Sequence, residues 1–431
     1  MTGTQTPELT RVADVSAARR SFYVPAFELK IANAGLPQNV LRDVQEVTYT
    51  DDVDQLDTFS IVVSNVDDIH HALPVSERAD HQQRRFKYIG SETTQDLEGS
   101  EAVTRYKLFE PCARDVQLSM GYVGNLELMM TGNFTTMAPR FPASGASTLE
   151  VRGINALHQL RRKKYSDHWR GKKRSEVAEL VGERRRRGND NTRFEIEICL
   201  NNRAKSQEEA IPLITQKNEF DVDFLWKLAR EEGYVVAIRE AVGDQPRHLY
   251  FGPSGGVANC GGAQSNEERQ DPLVYELEWG KSLIDFTPRI TSANQFRSVT
   301  VKGWNRRRQR EISETIDFSD RTLRRLNPDL HDMIRNCDPR EELVVERPVF
   351  TAREAKNMAR SILLDQHKQM VKAQGTTIGL PRLRAGLSIQ IAGVGSRLSG
   401  RYFVTKTTHT INDNGYITKF EARRENIEGA V

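Results

Sequence analysis

The sequence contains little cysteine, and its four residues of this kind are far apart: Cys112, Cys199, Cys260 and Cys337. This spacing excludes a Cys-x-x-Cys metal or redox motif and the dense cysteine framework of small secreted domains. We therefore predict free thiols and a reducing compartment. A charged-then-apolar N-terminal targeting segment is also missing, and no apolar run is long enough to cross a membrane. These absences predict assembly in the cytoplasm and no membrane segment.

An excess of charge of one sign is also lacking, because 62 basic residues face 59 acidic ones and leave a net charge of +3. Bulk charge therefore indicates no particular class of partner. The basic residues are nevertheless clustered in three regions, 161–174, 184–187 and 306–310. With Tyr165 and Trp169 among them, such runs can bind phosphate backbones and stack on bases, so nucleic-acid binding is one interpretation. A solvated face or a contact with an acidic protein is the other, and the balanced net charge favours it.

Catalytic motifs are scarce as well. Residues 252–256 match the nucleophile-elbow pattern Gly-x-Ser-x-Gly with Ser254 at its centre, but the elbow requires a helix immediately afterwards. Here Val-Ala-Asn-Cys-Gly-Gly follows, which is a poor helix start, so a Pro-Gly turn is the better explanation. Gly393 and Gly395 resemble part of a dinucleotide-binding loop, but the third glycine is misplaced and a predicted strand follows.

Metal ligands and acid–base pairs are not indicated either. His70, His71 and His81 have no cysteine or carboxylate at ligand spacing, and we interpret them as solvated loop residues. The acidic cluster between two predicted strands is most simply a turn: Asp51, Asp52 and Asp54. We therefore predict a protein that is not an enzyme, with no catalytic, cofactor-binding or metal-binding residues and no cofactor.

What the sequence does contain is strand patterning, clearest near the C-terminus. Residues 387–391 alternate apolar and polar side chains as in a strand with one buried face, and a second strand is predicted over 402–411. Asn414-Gly415 is the residue pair that a type I′ hairpin prefers, and the alternation resumes over 416–420. The C-terminal part is therefore predicted to be a module of antiparallel hairpins. The same alternation predicts earlier strands at 22–31, 40–50, 58–64, 116–120, 125–134 and 148–153.

Helical periodicity is found in three segments. The basic segment 158–187 is predicted to be helical in part, with Ser175 as an N-cap. Residues 219–232 carry one apolar stripe and predict the clearest helix of the middle region. A third helix is predicted to begin at Thr351, because Glu354 completes a capping box with it. Helices and strands thus alternate only in the middle of the chain, and strands dominate both ends.

An internal similarity links the two strand-rich ends. Residues 149–155 (Leu-Glu-Val-Arg-Gly-Ile-Asn) and 299–305 (Val-Thr-Val-Lys-Gly-Trp-Asn) share one pattern of apolar residues, a basic residue, glycine and asparagine. Each copy ends a predicted β run and precedes a basic segment. The similarity predicts two related β domains in one chain.

From about Phe22 onward the chain resembles the hub proteins of contractile phage tails and related injection systems, the late control protein D group. The matching features include the extended start at 22–31 and the helix phrase at 218–229. They are continued by a C-terminal set: Gly379-Leu380-Pro381, Gly386, Gly400-Arg401-Tyr402, His409, Gly415-Tyr416, Thr418, Phe420 and Arg423. The order and spacing of these short pieces carry the resemblance, because none is specific alone.

The resemblance implies an α+β fold with two antiparallel, tube-like β-barrels, a middle mixed α/β domain and a helical insert. The expected domains are a flexible arm at 1–21, a first barrel at 22–157, a middle domain at 158–272, a second barrel at 273–305 and 378–431, and a helix-bearing insert at 306–377.

The resemblance also implies a homotrimer whose six barrels match a hexameric inner tail tube, which makes the chain a structural baseplate hub that lines the central channel. The implied partners are the tube protein, a trimeric spike and other baseplate proteins, with a passing contact to DNA or cargo in the channel. Because the sequence ends at Val431, shortly after the last predicted strand, the spike is expected to be a separate chain. Assembly is expected in the bacterial cytoplasm, as part of a phage tail or phage-like particle.

Overall fold

The structure is a computed structural model. It describes residues 24–66, 86–89, 108–112, 114–187, 194, 196–241, 247–254, 274–292, 295–305, 308–317, 319–320, 340–346 and 349–424, together with the backbone of strand β1 (Leu9–Arg11). His70, His71 and His81 lie outside the described residues, as does the rest of the predicted arm at 1–21.

The first part of the chain forms an antiparallel sheet, called here the first β-unit. Its elements are β2 (Pro25–Ile31), β3 (Ala34–Gly35), the short helix α1 (Gln38–Leu41), β4 (Val44–Asp52), β5 (Thr58–Ser64), β6 (Asp115–Tyr122), β7 (Asn125–Arg140) and β8 (Thr148–Asn155). The strands pair in the order β4-β5-β8-β7-β6-β2-β3. Their alternating apolar residues face one side and build a single core that includes Leu29, Val47, Ile61 and Leu118. The strand predicted at 58–64 is confirmed to the residue.

The middle domain is mixed, as predicted. It contains a 3₁₀ helix (Ala156–Arg161), β9 (Lys164–Trp169), α2 (Arg174–Arg186), β10 (Glu197–Leu200), α3 (Asn202–Gln207), β11 (Ile214–Phe220), α4 (Asp221–Glu232), β12 (Val235–Arg239) and β13 (His248–Gly252). Helix α4 buries its apolar stripe in the core of this domain, and Gly233 ends it at a φ of 74°. The helix predicted at 219–232 is therefore confirmed.

The remaining elements are β14 (Val274–Glu278), β15 (Leu283–Ile290), β16 (Phe296–Asn305), β17 (Arg310–Asp317), β18 (Arg340–Val344), α5 (Ala352–Lys368), β19 (Val371–Ile378), β20 (Ser388–Ala392), β21 (Gly400–Asn412) and β22 (Gly415–Arg424). Strands β14, β15, β19, β20 and β22, with the first part of β21, form the second β-unit around its own core. The prediction of a wholly antiparallel second unit is wrong, because β14 pairs in parallel with β20 and with β1.

Strand β21 joins the two β-units into one continuous sheet. Its first residues pair with β20, with Tyr402 opposite Ile389. A register shift follows between Val404 and Lys406, after which the strand pairs with β4, with His409 opposite Tyr49. Along its length β21 also pairs with β22. The two β-units are therefore fixed to each other by backbone hydrogen bonds.

Between β15 and β19 the chain forms a separate unit, called here the insert. Strands β17, β16 and β18 make their own sheet in that order, and α5 covers one face through Val299, Val301, Ala355 and Ala359. The sequence similarity between 149–155 and 299–305 is therefore misleading, because the first copy lies in the first β-unit and the second lies in the insert. The second β-unit ends at Ile290 and resumes at Val371, which differs from the predicted boundaries at 305 and 378.

Two local predictions need correction. Helix α2 follows Lys173, whose backbone N–H donates to Glu176, whereas Ser175 lies inside the helix and is buried. The β21–β22 hairpin lies where Asn414-Gly415 predicted it, but Asn412 pairs with Gly415 and among the described residues positive φ angles do not include Asn414. The type I′ assignment is therefore wrong, while the hairpin itself is right.

The prediction of free thiols holds for Cys112, which is exposed and unpaired, and is wrong for Cys199 in β10, which forms a disulfide. In the predicted N-terminal arm, β1 pairs with β14. Within the described ranges, no helix is long and apolar enough to cross a membrane.

Candidate functional site at the junction of the two β-units

A buried polar cluster lies where β4, β21 and the segment 379–387 meet, and it is called here the junction. On β4, Asp51 follows Val47 and Tyr49 on the inward face, because side chains two residues apart share a face. On β21, Thr407 and His409 face the same way, and the register places Thr407 opposite Asp51. The remaining members come from elsewhere in the chain: Asp57, Arg384 and Tyr416.

Asp51 and Arg384 form the ion pair at the centre of the junction. Arg384 Nε donates to Asp51 Oδ2 at 2.8 Å, and the backbone N–H of Ala385 donates to the same oxygen at 3.0 Å. Thr407 donates its hydroxyl proton to Asp51 Oδ1. Burial alone would raise the pKa of Asp51, but the positive charge of Arg384 and these donors lower it below its usual value. Asp51 is therefore a carboxylate inside the protein.

Arg384 also binds two groups of the first β-unit besides Asp51. Its Nη2 donates to the carbonyl oxygen of Met129 at 2.9 Å and to the hydroxyl of Tyr49. The guanidinium lies over the Tyr49 ring, 4.7 Å from its centre. One side chain from the segment before β20 thereby contacts β4 and β7 at once.

Asp57 is the second carboxyl group of the junction and differs from Asp51 in charge. The Tyr49 hydroxyl donates to Asp57 Oδ2 at 3.3 Å, and the backbone N–H of Asp52 lies 3.4 Å from Oδ1. Burial and the negative charge of Asp51 raise the pKa of Asp57 to about 7. Near neutral pH, Asp57 is therefore present in both its protonated and its ionised form, whereas Asp51 carries no proton.

His409 lies between the two β-units and is fully buried. Its Nε2 lies 3.0 Å from the carbonyl oxygen of Leu383 and 3.2 Å from Thr407 Oγ1. Its Nδ1 lies 2.9 Å from the Tyr416 hydroxyl and 3.1 Å from Thr418 Oγ1. Burial lowers the pKa of His409 to about 4.

The middle domain is anchored to the same region. Arg239 at the end of β12 donates to the carbonyl oxygen of Ala385 at 2.7 Å. The next residue, Glu240, accepts from the backbone N–H of Thr131 on β7 at 2.9 Å. Burial lowers the pKa of Arg239 and raises that of Glu240. The two β-units and the middle domain thus converge on 384–385 and their surroundings.

Close packing at Gly379 supports the junction. A Cβ atom there would lie 2.1 Å from Cγ of Tyr416, so a larger residue has no room. The Tyr122 hydroxyl donates to the Gly379 carbonyl oxygen at 2.9 Å, which ties β6 to this segment. Gly379, His409, Tyr416 and Thr418 all belong to the motif set behind the sequence resemblance, and all four meet here.

The outward face of the same strands has a different character. Thr50 Oγ1 lies 3.3 Å from Thr408 Oγ1, and Thr48 Oγ1 lies 3.4 Å from Thr410 Oγ1, so hydroxyl groups cross the β4–β21 seam. Among the described residues, large exposed apolar side chains lie elsewhere: Val24, Val123, Leu126, Phe141, Leu213, Trp279, Ile284, Trp304, Leu343 and Val345. The seam therefore presents a polar wall to solvent.

The motifs that resembled catalytic or metal sites do not meet at the junction. Ser254 is buried directly after β13, and the residues that follow it are outside the described range. Gly393 and Gly395 have positive φ angles in the turn between β20 and β21. Within the part of the chain that the structure describes, no group of three or more His, Cys, Asp or Glu residues is arranged to hold a metal ion. The junction itself is closed to solvent, so its chemistry is to hold parts of the chain together.

Most of the first basic run is engaged within the middle domain. Arg161 pairs with Asp223 at 2.7 Å, and its guanidinium lies 5.6 Å from the Trp226 ring centre. Trp169 stacks on Phe224 with ring centres 5.6 Å apart, so it is not presented to a base.

In the second run, Arg184 and Arg185 are engaged in the same way, whereas Arg186 and Arg187 are exposed. Arg184 pairs with Asp221 at 2.6 Å and covers the Tyr165 ring, 4.1 Å from its centre. Arg185 is buried, 3.5 Å from the other oxygen of Asp221. In the third run, 306 and 307 are outside the described residues, while Arg308 and Arg310 are exposed. The described contacts favour a structural interpretation of the first two runs.

The junction was missed by sequence reasoning. Asp51 had been interpreted as a turn residue together with Asp52 and Asp54. Its position in phase with Val47 and Tyr49 was the available signal, because it places a carboxylate on the buried face of a strand. The same signal applied to His409, which is in phase with Ile411.

Comparisons with solved structures show the fold. The 43 kDa tail protein of prophage MuSo2 from Shewanella oneidensis superimposes with a TM-score of 0.58 at 12% identity, covering 93% of this chain and 98% of that one. The tail protein from Neisseria meningitidis MC58 gives 0.57 at 13% identity, covering 93% and 97%. The chain therefore has the fold of phage tail proteins, which confirms the resemblance at the level of the fold.

Sequence comparisons contribute less. A family model described as the Alg8 N-terminal domain matches residues 264–413, which is less than half of the chain. No curated protein matches the sequence.

Proposed function

We propose that the chain is a structural hub in the baseplate of a contractile phage tail or phage-like injection particle. The observation that carries this proposal is the pair of β-units joined through β21 within a tail-protein fold. Three copies form a ring in which each copy contributes two β-units, so six units face a hexameric inner tube. The two β-units are proposed to act as the tube-like barrels of the sequence prediction.

The opposite end of the ring is proposed to receive a trimeric spike, and the rim to contact other baseplate proteins. Matching six-fold to three-fold symmetry requires that both β-units of a copy keep one relative orientation. The shared strand and the Asp51–Arg384 pair supply that constraint. The role is therefore architectural, and no catalytic step is assigned to the chain.

The hydroxyl-rich outward face around Thr48, Thr50, Thr408 and Thr410 is proposed to line the central channel. Such a wall holds no large apolar side chain to which a passing molecule would adhere. Contacts with DNA or cargo during passage are proposed to be weak and non-specific, because Arg184 and Arg185 of α2 are engaged by Asp221. Assembly is proposed to take place in the bacterial cytoplasm before the particle is completed.

Mass measurement and imaging of the purified full chain test the proposal. A native mass of three times the 49.0 kDa chain is expected, and images should show a three-fold ring with six peripheral densities. Addition of the inner tube protein of the same particle should produce capped tubes. A protein that stays monomeric at all concentrations and never enters particles would contradict the proposal.

A gel-shift assay separates the hub from the nucleic-acid alternative. The hub should bind DNA weakly, without sequence preference, and lose binding as salt rises. Tight, sequence-selective binding that persists at physiological salt would favour the alternative.

A further inference from the structure

The protonation state of His409 is fixed by its neighbours. The Leu383 carbonyl oxygen can only accept a hydrogen bond, so Nε2 at 3.0 Å must carry the proton. Thr407 donates its own proton to Asp51, so its oxygen accepts from the same Nε2–H. Nδ1 must then accept, and the Tyr416 hydroxyl at 2.9 Å is placed to donate to it. The site is built for neutral imidazole.

A second proton on His409 would face a group that already donates to the same nitrogen. It would have to form on Nδ1, where the Tyr416 hydroxyl already directs its own proton. Thr418 Oγ1 is the remaining neighbour, at 3.1 Å, and it already accepts from the backbone N–H of Leu380. Protonation therefore requires Tyr416 to rotate its proton away inside a packed interior, where an unmatched donor is costly.

The charged groups around His409 act in both directions, since Asp51 favours a positive charge there and Arg384 opposes one, and burial outweighs both. Arg384 comes from the segment before β20, and Arg239 comes from β12 in the middle domain. Asp51 on β4 is already neutralised by Arg384, and Asp57 holds a proton over much of the acidic range. The other facing titratable groups are phenols and one carboxyl group: Tyr49 on β4, Tyr122 on β6, Tyr416 on β22 and Glu240 after β12.

We propose that the junction is an acid-sensitive latch, in which protonation of His409 weakens the contact between the two β-units while the middle domain keeps its fold. The segment 379–385 is the part that moves first, since Gly379 packs against Tyr416 and Leu380 donates to Thr418, the two groups that face Nδ1. The middle domain touches this segment through Arg239 and through an apolar cluster in which Val235 and Ala237 lie with Ala385, while its main core, which holds α4, is separate.

The titration of His409 changes the stability of the fold in a definite direction with pH. The pKa of His409 is about 4 in the folded state against 6.5 for an ordinary histidine, so the unfolded state takes up the proton first. Stability from neutral His409 is complete above 6.5 and falls as the pH falls from there toward 4. Asp57 acts in the opposite direction, because its raised pKa of about 7 stabilises the fold as the pH falls. The two effects overlap, so single variants are needed to separate them.

The test compares thermal unfolding of the full chain with that of His409→Gln between about pH 7 and about pH 4.5. Glutamine can donate to Leu383 and accept from Tyr416 without titrating. We expect the midpoint of the variant, relative to wild type, to rise by roughly 2 to 4 °C or more as the pH is lowered. Asp57→Asn is the matched control, because it removes the group whose titration opposes that of His409. Its unfolding midpoint should fall more steeply with decreasing pH than that of wild type.

Hydrogen exchange at a single acidic pH locates the effect. Wild type and His409→Gln are compared at the same pH, which cancels the intrinsic chemistry of exchange. Faster exchange in wild type is expected for 44–52, 379–387 and 406–412, with α4 unchanged. Equal exchange in both proteins, or loss of protection in α4 first, would overturn the proposal.

A measurement on wild type keeps the proposal testable where the variant does not fold. Exchange of the imidazole C2 hydrogen, followed by mass spectrometry, reports the pKa of each histidine. A value near 6.5 for His409 in the folded protein would contradict the latch, while a clearly lower one supports it.

Discussion

Two buried arginine–aspartate clusters can be compared within this molecule, and they order different levels of structure. In the middle domain, Arg184 and Asp221 are 37 residues apart and connect α2 to α4. At the junction, Arg384 and Asp51 are 333 residues apart and connect the two β-units. The first pair stabilises one domain, whereas the second determines how the domains are arranged. Residue type alone does not distinguish these roles.

The two aspartates also differ in their electrostatic balance. Asp51 accepts from Arg384, a backbone N–H and Thr407, and its pKa is lowered despite burial. Burial outweighs the neighbouring cations at Asp221, whose pKa is raised. The ionised form is therefore better supported at the junction than in the middle domain. The following variants break or sharpen this contrast.

The largest effect is expected from Arg384→Met. It leaves Asp51 buried without its cation and removes the contacts to Met129 and Tyr49, so the free energy of unfolding should fall by about 3 to 5 kcal/mol. Denaturant unfolding of the full chain measures it. The double variant with Asp51→Asn is the control, and it should lose clearly less than the two single losses added together. Strict additivity would show that the pair is not coupled.

Asp51→Asn and Asp221→Asn should differ in both size and pH dependence. We expect a loss of about 2 to 3 kcal/mol at the junction and about 1 kcal/mol in the middle domain, because charge-assisted hydrogen bonds are strong and the ionised form is better supported at Asp51 than at Asp221. The cost of Asp51→Asn should shrink as the pH falls below 3.8, since unfolded wild type then takes up a proton that folded Asp51, with its lowered pKa, does not. The cost of Asp221→Asn should instead shrink as the pH rises above 3.8.

Unfolding curves at several pH values check both slopes. The same slope for both variants would mean that the two aspartates are electrostatically equivalent.

Packing at the junction is tested by Gly379→Ala. The added Cβ would lie 2.1 Å from the Tyr416 ring, so the segment must shift, at a cost of about 1 to 3 kcal/mol. Gly35→Ala is the matched control, because no atom lies within 4 Å of its added Cβ. Unfolding midpoints of the two variants give the comparison, and a control that loses as much as Gly379→Ala would remove the packing argument.

The smallest effect is expected far from both clusters, at Thr351→Ala. The Thr351 hydroxyl accepts from the backbone N–H of Glu354 at 3.1 Å and caps α5. Its loss should cost about 1 kcal/mol and be confined to the insert. Hydrogen exchange over 352–368 should increase while β4 and β21 remain protected. Increased exchange at the junction would show that the insert and the β-units are coupled.

Local structure was largely predictable. The strand at 58–64 and the helix at 221–232 follow from periods of two and 3.6 residues, and Thr351 with Glu354 marked the start of α5. Errors arose where one segment contains several short elements of different type. Within 158–187, for example, a 3₁₀ helix, a strand and a helix occur, because short amphipathic pieces carry too few residues to define a period.

The candidate site was less predictable than the fold. Asp51 and His409 are in phase with buried apolar residues of their strands, which places both side chains on a buried face. This spacing did not indicate which groups would pair with them. Arg384 lies in a segment without regular structure, so no pattern connected it to β4. The residues behind the family resemblance, such as Gly379 and Tyr416, turned out to surround the site.

The positions of most strands and helices, and the face that each one buries, follow from the order of residues, because these features depend on neighbours a few residues away. The pairing of the strands is a property of the folded molecule. It assigned β16 to the insert rather than to the second β-unit, and it divided β21 between the two β-units. The alternation of apolar and polar residues defines the two faces of a strand, but it does not distinguish the two edges that form backbone hydrogen bonds. Which strand pairs at each edge is therefore decided by packing between segments that are hundreds of residues apart.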